Sequence, residues 1–151
     1  MGAAGDVQST KLRACVGDVL FGKIRPYFHK VGVAPVNAVC SSDTIVLRAR
    51  NPEHFGVILC CVSSDEFIAH ATQTSQGTKM PRANWDVLRE YPVALPPERL
   101  LGRFNDMVRT FVSLLQRLVL KSRNLSATRD LLLPRLISGE IDVSSLPDPT
   151  A

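Results

Sequence analysis

The pattern of apolar and polar residues changes at Pro96 and Pro97, and this change divides the chain into two parts. Before the two prolines, short apolar runs alternate with Gly, Pro and polar clusters, which is typical of short strands and helices. After them, apolar residues recur at alternating spacings of three and four, which is typical of one long helix. The pattern therefore predicts an α+β globular part, with mixed strands and short helices, followed by a long coiled-coil helix.

Three segments in the first part predict strands. "VGDVLFGKI" and "KVGVAPV" are rich in Val, Ile and Phe, and "RPYFHK" between them predicts a turn. "DTIVLRAR" alternates, so that Ile45 and Leu47 face one way and Val46 and Arg48 the other.

Helices are predicted after these strands. "NPEHFGVILCCV" has apolar residues at helical spacing, and Ser63 with Glu66 forms a capping box that predicts a second helix in "SSDEFIAHATQ". Asn84 is expected to cap a short helical turn that carries Trp85 and Leu88. "EYPVALPP" predicts an extended segment.

The second part carries an apolar seam, interrupted by Ser122, that predicts a helix–helix interface. Its members are Leu101, Phe104, Val108, Phe111, Leu115, Leu118 and Leu125. A helix from 98 to 130 is about 50 Å long at 1.5 Å per residue. A domain of under a hundred residues cannot cover such a seam, so we expect a partner helix. Pro134 is expected to bend or stop the helix, and Gly139 to permit a turn before Ile141 and Val143, which are expected to add a short strand or to dock.

Charge is concentrated near the start of the chain. Lys and Arg number 18 against 14 Asp and Glu, a net charge of +4, and residues 11–50 hold seven cations against two anions. A clustered excess of cations is what the neutralisation of nucleic-acid phosphates requires. An ordinary solvated surface explains Lys23, Arg25 and Lys30 equally well.

The loop "SQGTKMPRANW", residues 75–85, concentrates polar and cationic side chains. Gln76 and Thr78 suit base edges or phosphates, Lys79 a phosphate, and Arg82 a guanine edge or a phosphate. Trp85 is expected to be a buried anchor for the loop. The alternative is that the loop only connects a helix to the next segment.

Other functional classes find little support. The chain has no apolar run long enough to cross a membrane and no signal-peptide pattern, so a cytoplasmic location is expected. The four cysteines form no C-x-x-C pair, which favours buried free thiols over a zinc site. His70 near Cys60 and Cys61 is better explained by helix packing than as a nucleophile pair, and we expect no cofactor and no enzymatic activity.

Three segments together resemble the specificity subunits of type I restriction–modification systems. They are "GDVLFGKIRPYFHKV" (17–31), "SQGTKMPRANWDVLREYPVALPP" (75–97) and "NLSATRDLLLPRLISGEIDV" (124–143). The resemblance implies a divergent lead at 1–16, a partial target recognition domain at 17–97, a spacer helix at 98–130 and a docking segment with a tail at 131–151. It also implies that this chain corresponds to the C-terminal end of such a subunit.

The resemblance further implies partners. These are double-stranded DNA, modification (methyltransferase) subunits and, through them, a restriction subunit, together with a second copy or another specificity polypeptide at the long helix. The expected docking residues are Leu132, Leu133, Pro134, Ile137 and Ile141. Methylation and cleavage are expected of the partner subunits. The alternative is an assembly module that pairs through its helix and contacts no DNA.

Overall fold

The computed structural model describes residues 11–142 and residue 144. Five short strands form two antiparallel sheets. The strands are β1 (Lys11–Ala14), β2 (Val19–Gly22), β3 (Val31–Val33), β4 (Ala38–Ser41) and β5 (Thr44–Leu47). One sheet pairs β1 with β4, and the other has the order β3-β2-β5.

Four α-helices follow the strands: α1 (Phe55–Val62), α2 (Asp65–Gln73), α3 (Trp85–Leu88) and α4 (Glu98–Ile137). Two 3₁₀ turns, Pro26–Phe28 and Pro52–His54, lie between β2 and β3 and before α1. The α+β class is therefore confirmed, with mixed strands and short helices before one long helix.

Local signals placed several of these elements correctly. The alternation in "DTIVLRAR" gives β5, in which Ile45 is buried and Leu47 packs against the core. Asn84 caps α3, where its Oδ1 accepts a hydrogen bond from Asp86 N at 3.0 Å. The predicted capping box was wrong by one residue, because Ser64 rather than Ser63 caps α2 and accepts from Phe67 N at 3.2 Å.

The two-stranded sheet was not predicted. Lys11 pairs with Ser41 and Ala14 with Ala38, across about 27 residues of chain. Both strands have mixed polarity and neither shows a long apolar run, so a periodicity argument does not detect them. The pairing places residues 11–14 in a sheet with residues 38–41.

The core lies between the three-stranded sheet, α1, α2 and the beginning of α4. Phe21 and Val19 of β2 are almost fully buried, and the Phe21 ring meets the Phe67 ring edge-on with centroids 5.6 Å apart. Leu101 and Val108 of α4 are also buried in this core, and Phe104 packs against it.

The chain divides into two compact units at Val112 and Ser113, within α4. The helix itself is continuous over 40 residues and contains Pro134, so the expected stop there was wrong. It ends at Ile137, and Gly139 follows with a φ of 74°. The turn expected at Gly139 is thus present, whereas the strand expectation for Val143 lies outside the described residues.

Across residues 11–142, none of the single helices is both long and apolar enough for a membrane span, although the bent pair Pro52–Val62 and Asp65–Gln73 meets the length and composition criteria together.

Candidate nucleic-acid interface

The loop at 75–85 is hydrogen-bonded to the connection between β2 and β3. Arg25 N donates to Pro81 O at 2.7 Å, and Ala83 N donates to Lys23 O at 3.0 Å. A single antiparallel β-bridge joins Ile24 to Arg82. Two segments more than fifty residues apart in sequence therefore form one surface.

The loop also closes on itself. Gln76 N donates to Arg82 O at 3.0 Å, and Arg82 N donates to Gln76 O at 2.8 Å. Gly77 adopts a φ of 100°, a conformation that side-chain-bearing residues rarely occupy. Thr78, Lys79 and Met80 are exposed between these bonds, so the closed base fixes where the tip of the loop lies.

The β2–β3 connection has a left-handed backbone at two residues that are not glycine. Arg25 has a φ of 50° and His29 a φ of 51°, on either side of the 3₁₀ turn Pro26–Phe28. Pro26 is buried, whereas Tyr27 and Phe28 are exposed and adjacent, with ring centroids 4.8 Å apart. Strained backbone at such positions persists where the surrounding structure enforces it, often at binding sites.

Two cations lie near the Phe28 ring. Arg25 Cζ is 6.0 Å and Lys30 Nζ is 5.9 Å from the ring centroid. Sequence reasoning chose both cations but missed Tyr27 and Phe28. The available signal was the insertion of two aromatic residues between the cations of a turn, an interleaving typical of nucleic-acid contacts.

The other predicted cations are held on the same surface. Lys23 Nζ donates to Ser42 O at 3.0 Å, and Arg25 Nη2 donates to Lys79 O at 3.4 Å. Arg82 Nη2 lies 3.4 Å from Asp43 Oδ1. We call this area the basic–aromatic surface and define it by Lys23, Arg25, Tyr27, Phe28, Lys30, Gln76, Thr78, Lys79, Arg82 and Trp85. It brings together all seven side chains predicted to contact DNA.

A groove of about 650 Å³ borders this surface, lined by Lys23, Gln76, Arg82, Asn84 and Trp85 among others. Trp85 is 41% exposed, so the prediction that it is a buried anchor was wrong. It begins the short helix α3, whose buried residue is Leu88, and Leu88 and Ala83 provide the apolar anchoring instead. Trp85 thus presents an aromatic face beside the cations.

Arg48 is not part of the basic–aromatic surface, because it forms an ion pair with Asp18. Its Nε and Nη2 donate to the two carboxylate oxygens of Asp18 at 2.7 and 2.6 Å, and Cys15 N donates to Asp18 Oδ2 at 2.7 Å. Asp18 is only 4% exposed. The hydrogen bonds from Arg48 lower the pKa of the Asp18 carboxyl, and those to Asp18 raise the pKa of the Arg48 guanidinium. Arg48 therefore stabilises the fold, and its charge is balanced.

The cysteines do not form a reactive site. All four are free, as predicted, but none is fully buried, and Cys60 is exposed, so the expectation of buried thiols was wrong. Partial burial raises the pKa of both the Cys60 and Cys61 thiols, which disfavours the nucleophilic thiolate. The His70 ring packs against Tyr91 with centroids 5.2 Å apart.

The seam on α4 is divided between two environments. Leu101 and Val108 are buried within this chain, and Phe104 packs against its core. The later members, Phe111, Leu115, Leu118 and Leu125, are exposed, as are Leu132, Leu133, Pro134 and Ile137 of the expected docking segment, with Ile141 half-buried. The unpartnered part of the seam therefore begins at Phe111.

Comparison with known proteins finds similarity both in sequence and in structure. The chain is 31% identical over 91 residues to the type I restriction enzyme EcoDI specificity subunit of Escherichia coli, an alignment that covers 60% of this chain and 20% of that protein. No family model matches the chain.

The second similarity is structural. A chain from a solved structure concerning complex assembly and conformational transition of the type I R-M system superimposes with a TM-score of 0.56 at 23% identity. That superposition covers 95% of this chain and 38% of the other. The present chain spans about a fifth of the curated relative that it matches. The chain is similar to part of a type I restriction enzyme specificity subunit, from the family that its sequence motifs resemble.

Proposed function

We propose that this chain is a DNA-recognition component of a type I restriction–modification complex and that the basic–aromatic surface contacts the DNA. The observation that carries the proposal is the joining of the 75–85 loop to the 23–30 turn by backbone hydrogen bonds. That joining gathers five Lys and Arg residues on one surface, so that they can act on one ligand.

The composition of the surface fits DNA better than it fits a protein partner. Lysines provide point charges for phosphates, whereas an Arg guanidinium suits the guanine edge or a phosphate. Gln76 and Thr78 add neutral hydrogen-bonding groups, and Phe28 and Trp85 add aromatic faces for sugars or bases. An interface between proteins is usually depleted of lysine at its centre.

The function proposed for this chain is binding and not catalysis. Modification subunits and, through them, a restriction subunit are the proposed partners, with Leu132, Leu133, Pro134, Ile137 and Ile141 as the docking residues. The apolar character of these side chains supports docking, since exposed apolar clusters mark interaction sites. A cytoplasmic location follows from this role and stays a prediction.

The chain contains one tryptophan, and this residue lies at the edge of the proposed surface. Titration of the full chain with duplex DNA should therefore change Trp85 fluorescence. We expect an affinity on the order of 10⁻⁴ to 10⁻⁶ M for duplexes of any sequence, falling as salt rises.

The control is a matched pair of variants. Lys79→Ala should weaken binding, whereas Lys121→Ala, with the same loss of charge on α4, should leave it unchanged. Equal effects of the two substitutions would show that net charge alone attracts DNA, and absence of salt-dependent binding would contradict the proposed function.

An assembly module that contacts no DNA is the second candidate. The exposed leucines of residues 113–137 favour this candidate, because an apolar helix face can bind another protein without any contact with DNA. Formation of a stable complex with modification subunits, unaffected by Lys79→Ala and without DNA affinity, would support this candidate instead.

A further inference from the structure

Three aromatic side chains of the basic–aromatic surface are exposed to solvent. Tyr27 is 49%, Phe28 57% and Trp85 41% exposed. In a paired DNA duplex the faces of the bases are covered by their neighbours in the stack, so an aromatic side chain can stack on a base only where that base is unpaired or turned out of the duplex. Recognition of an intact duplex depends on phosphates and base edges, and it does not require exposed rings.

The groove beside Trp85 has the size and the lining of a nucleotide site. Its volume of about 650 Å³ lies within the usual range of small-molecule sites, about 300–1,000 Å³. Lys23 and Arg82 line it, and these two cations can neutralise a phosphate. Gln76 also lines it, and its amide both donates and accepts hydrogen bonds, as a base edge requires. The groove therefore offers an aromatic face, positive charge and a hydrogen-bonding partner together.

Two further polar residues of the groove suit the edge of a base. Asn84 Oδ1 accepts from Asp86 N at 3.0 Å, so the amide NH₂ group of Asn84 is the part that can donate to a ligand. Asp86 Oδ1 lies 3.7 Å from Arg89 Nη1, and this ion pair offsets the repulsion between the carboxylate and a phosphate. A carboxylate also accepts hydrogen bonds from the exocyclic amino group of a base.

We propose that the groove binds a single unpaired nucleotide of DNA, with the base stacked on Trp85 and the phosphate bound by Lys23 and Arg82. The proposal rests on the proposed function, because it assigns part of the same surface to a nucleotide outside the paired stack. Arg82 exchanges its ion pair with Asp43, at 3.4 Å, for the phosphate, and its side chain is 58% exposed and thus accessible. The same chemistry recognises a nucleotide of a single strand and one extruded from a duplex.

Fluorescence anisotropy with end-labelled DNA probes of equal length tests the proposal on the full chain. The probes are a single strand, the same strand with abasic sites in place of its bases, a paired duplex and a duplex with one bulged nucleotide. We expect the single strand to bind at least about fivefold more tightly than the abasic strand, because stacking of one base on an aromatic side chain contributes at least that factor. A bulged duplex that binds more tightly than the paired duplex identifies an extruded nucleotide as a ligand, and a preference confined to the single strand identifies a free strand.

Substitutions of Trp85 separate stacking from charge. Trp85→Leu keeps an apolar side chain without a ring, and it should lower the affinity for the single strand about fivefold while leaving the affinity for the abasic strand and the paired duplex unchanged. Trp85→Phe should retain most of the preference for bases. The matched control is Phe111→Leu, which removes an exposed ring from α4 and should change none of these affinities. If Trp85→Leu does not fold, quenching of wild-type Trp85 fluorescence by the single strand, and not by the abasic strand, provides the same comparison.

Two results would overturn the proposal. One is equal affinity of the single strand and the abasic strand, and the other is an equal effect of Trp85→Leu and Phe111→Leu on binding of the single strand. If the paired duplex still binds in a manner that depends on salt and on Lys79, the proposed function survives either result. Absence of binding to all four probes would overturn both.

Discussion

Asn105 Oδ1 accepts a hydrogen bond from Gly56 N at 3.0 Å, which joins the long helix to the first turn of α1 across 49 residues of sequence. Both residues are buried. An N–H group in the first turn of a helix has no intrahelical acceptor, so Asn105 satisfies a group that would otherwise be buried without a partner. This hydrogen bond fixes the position of the first turns of α4 against α1.

Replacing Asn105 by Ala should leave the Gly56 N–H buried and unsatisfied. We expect the free energy of unfolding to fall by about 1–3 kcal/mol. Chemical denaturation of the full chain measures this, with Asn124→Ala on an exposed turn of the same helix as the control. Equal stability of the two variants would mean that water replaces the amide.

Gly56 also sets how closely the two helices approach. A Cβ at this position would lie 3.2 Å from Asn105 Cα and 3.3 Å from Val108 Cβ, whereas one at Gly102 on α4 would meet nothing within 4 Å. Alanine favours helix over glycine by about 1 kcal/mol. Gly102→Ala should therefore raise the melting temperature, and Gly56→Ala should lower it or leave it unchanged; similar increases for both would contradict the close packing.

The buried Asp18 carboxylate should make the free energy of unfolding depend on pH. Because its pKa is lower in the folded chain than in the unfolded chain, its stabilising contribution is complete above the ordinary Asp pKa of about 4 and is lost as pH falls through the lowered value. Asp18→Asn should reduce stability at neutral pH by about 1–3 kcal/mol and flatten the loss below pH 4. Urea denaturation between pH 2 and 7 tests this, with exposed Asp106→Asn as the comparison.

Lys79 and Arg82 are expected to act differently on DNA binding in the assembled complex. Lys79→Ala should weaken binding to every sequence and lower the salt slope by about one, whereas Arg82→Ala should relax preference at one base position. Arg82 is held beside Asp43, so Asp43→Asn should strengthen binding by removing a competing anion. If neither loop substitution changes affinity, salt slope or preference, the loop is only a connection.

Two positions three residues apart on α4 should separate folding from association. Val108 is 8% exposed and Phe111 is 58% exposed. Val108→Glu buries an unpaired charge and should unfold or strongly destabilise the chain. Phe111→Glu should leave the melting temperature nearly unchanged but weaken any complex that the chain forms through the exposed part of the seam, as measured by sedimentation. A complex insensitive to Phe111→Glu would place the interface farther along the helix.

Short-range features of this protein were predictable from its sequence alone. The start of the long helix after Pro97, the cap at Asn84, the alternation in β5 and the cationic character of the 75–85 loop all depend on residues within a few positions of each other. Apolar spacing and helix capping depend on residues within one or two helical turns of each other, so the sequence alone is enough to predict them. The family resemblance depended on the same local motifs.

The tertiary structure decided which distant residues meet. Residue type did not indicate that Arg48 pairs with buried Asp18, that Trp85 is exposed, or that the seam is covered as far as Val108. Nor did it indicate that Pro81 and Ala83 bond to the turn at Lys23 and Arg25, which creates the basic–aromatic surface. Each of these features depends on how segments about thirty or more residues apart in the sequence pack together. Many chain arrangements satisfy the same local preferences, and only burial of the whole core selects one of them.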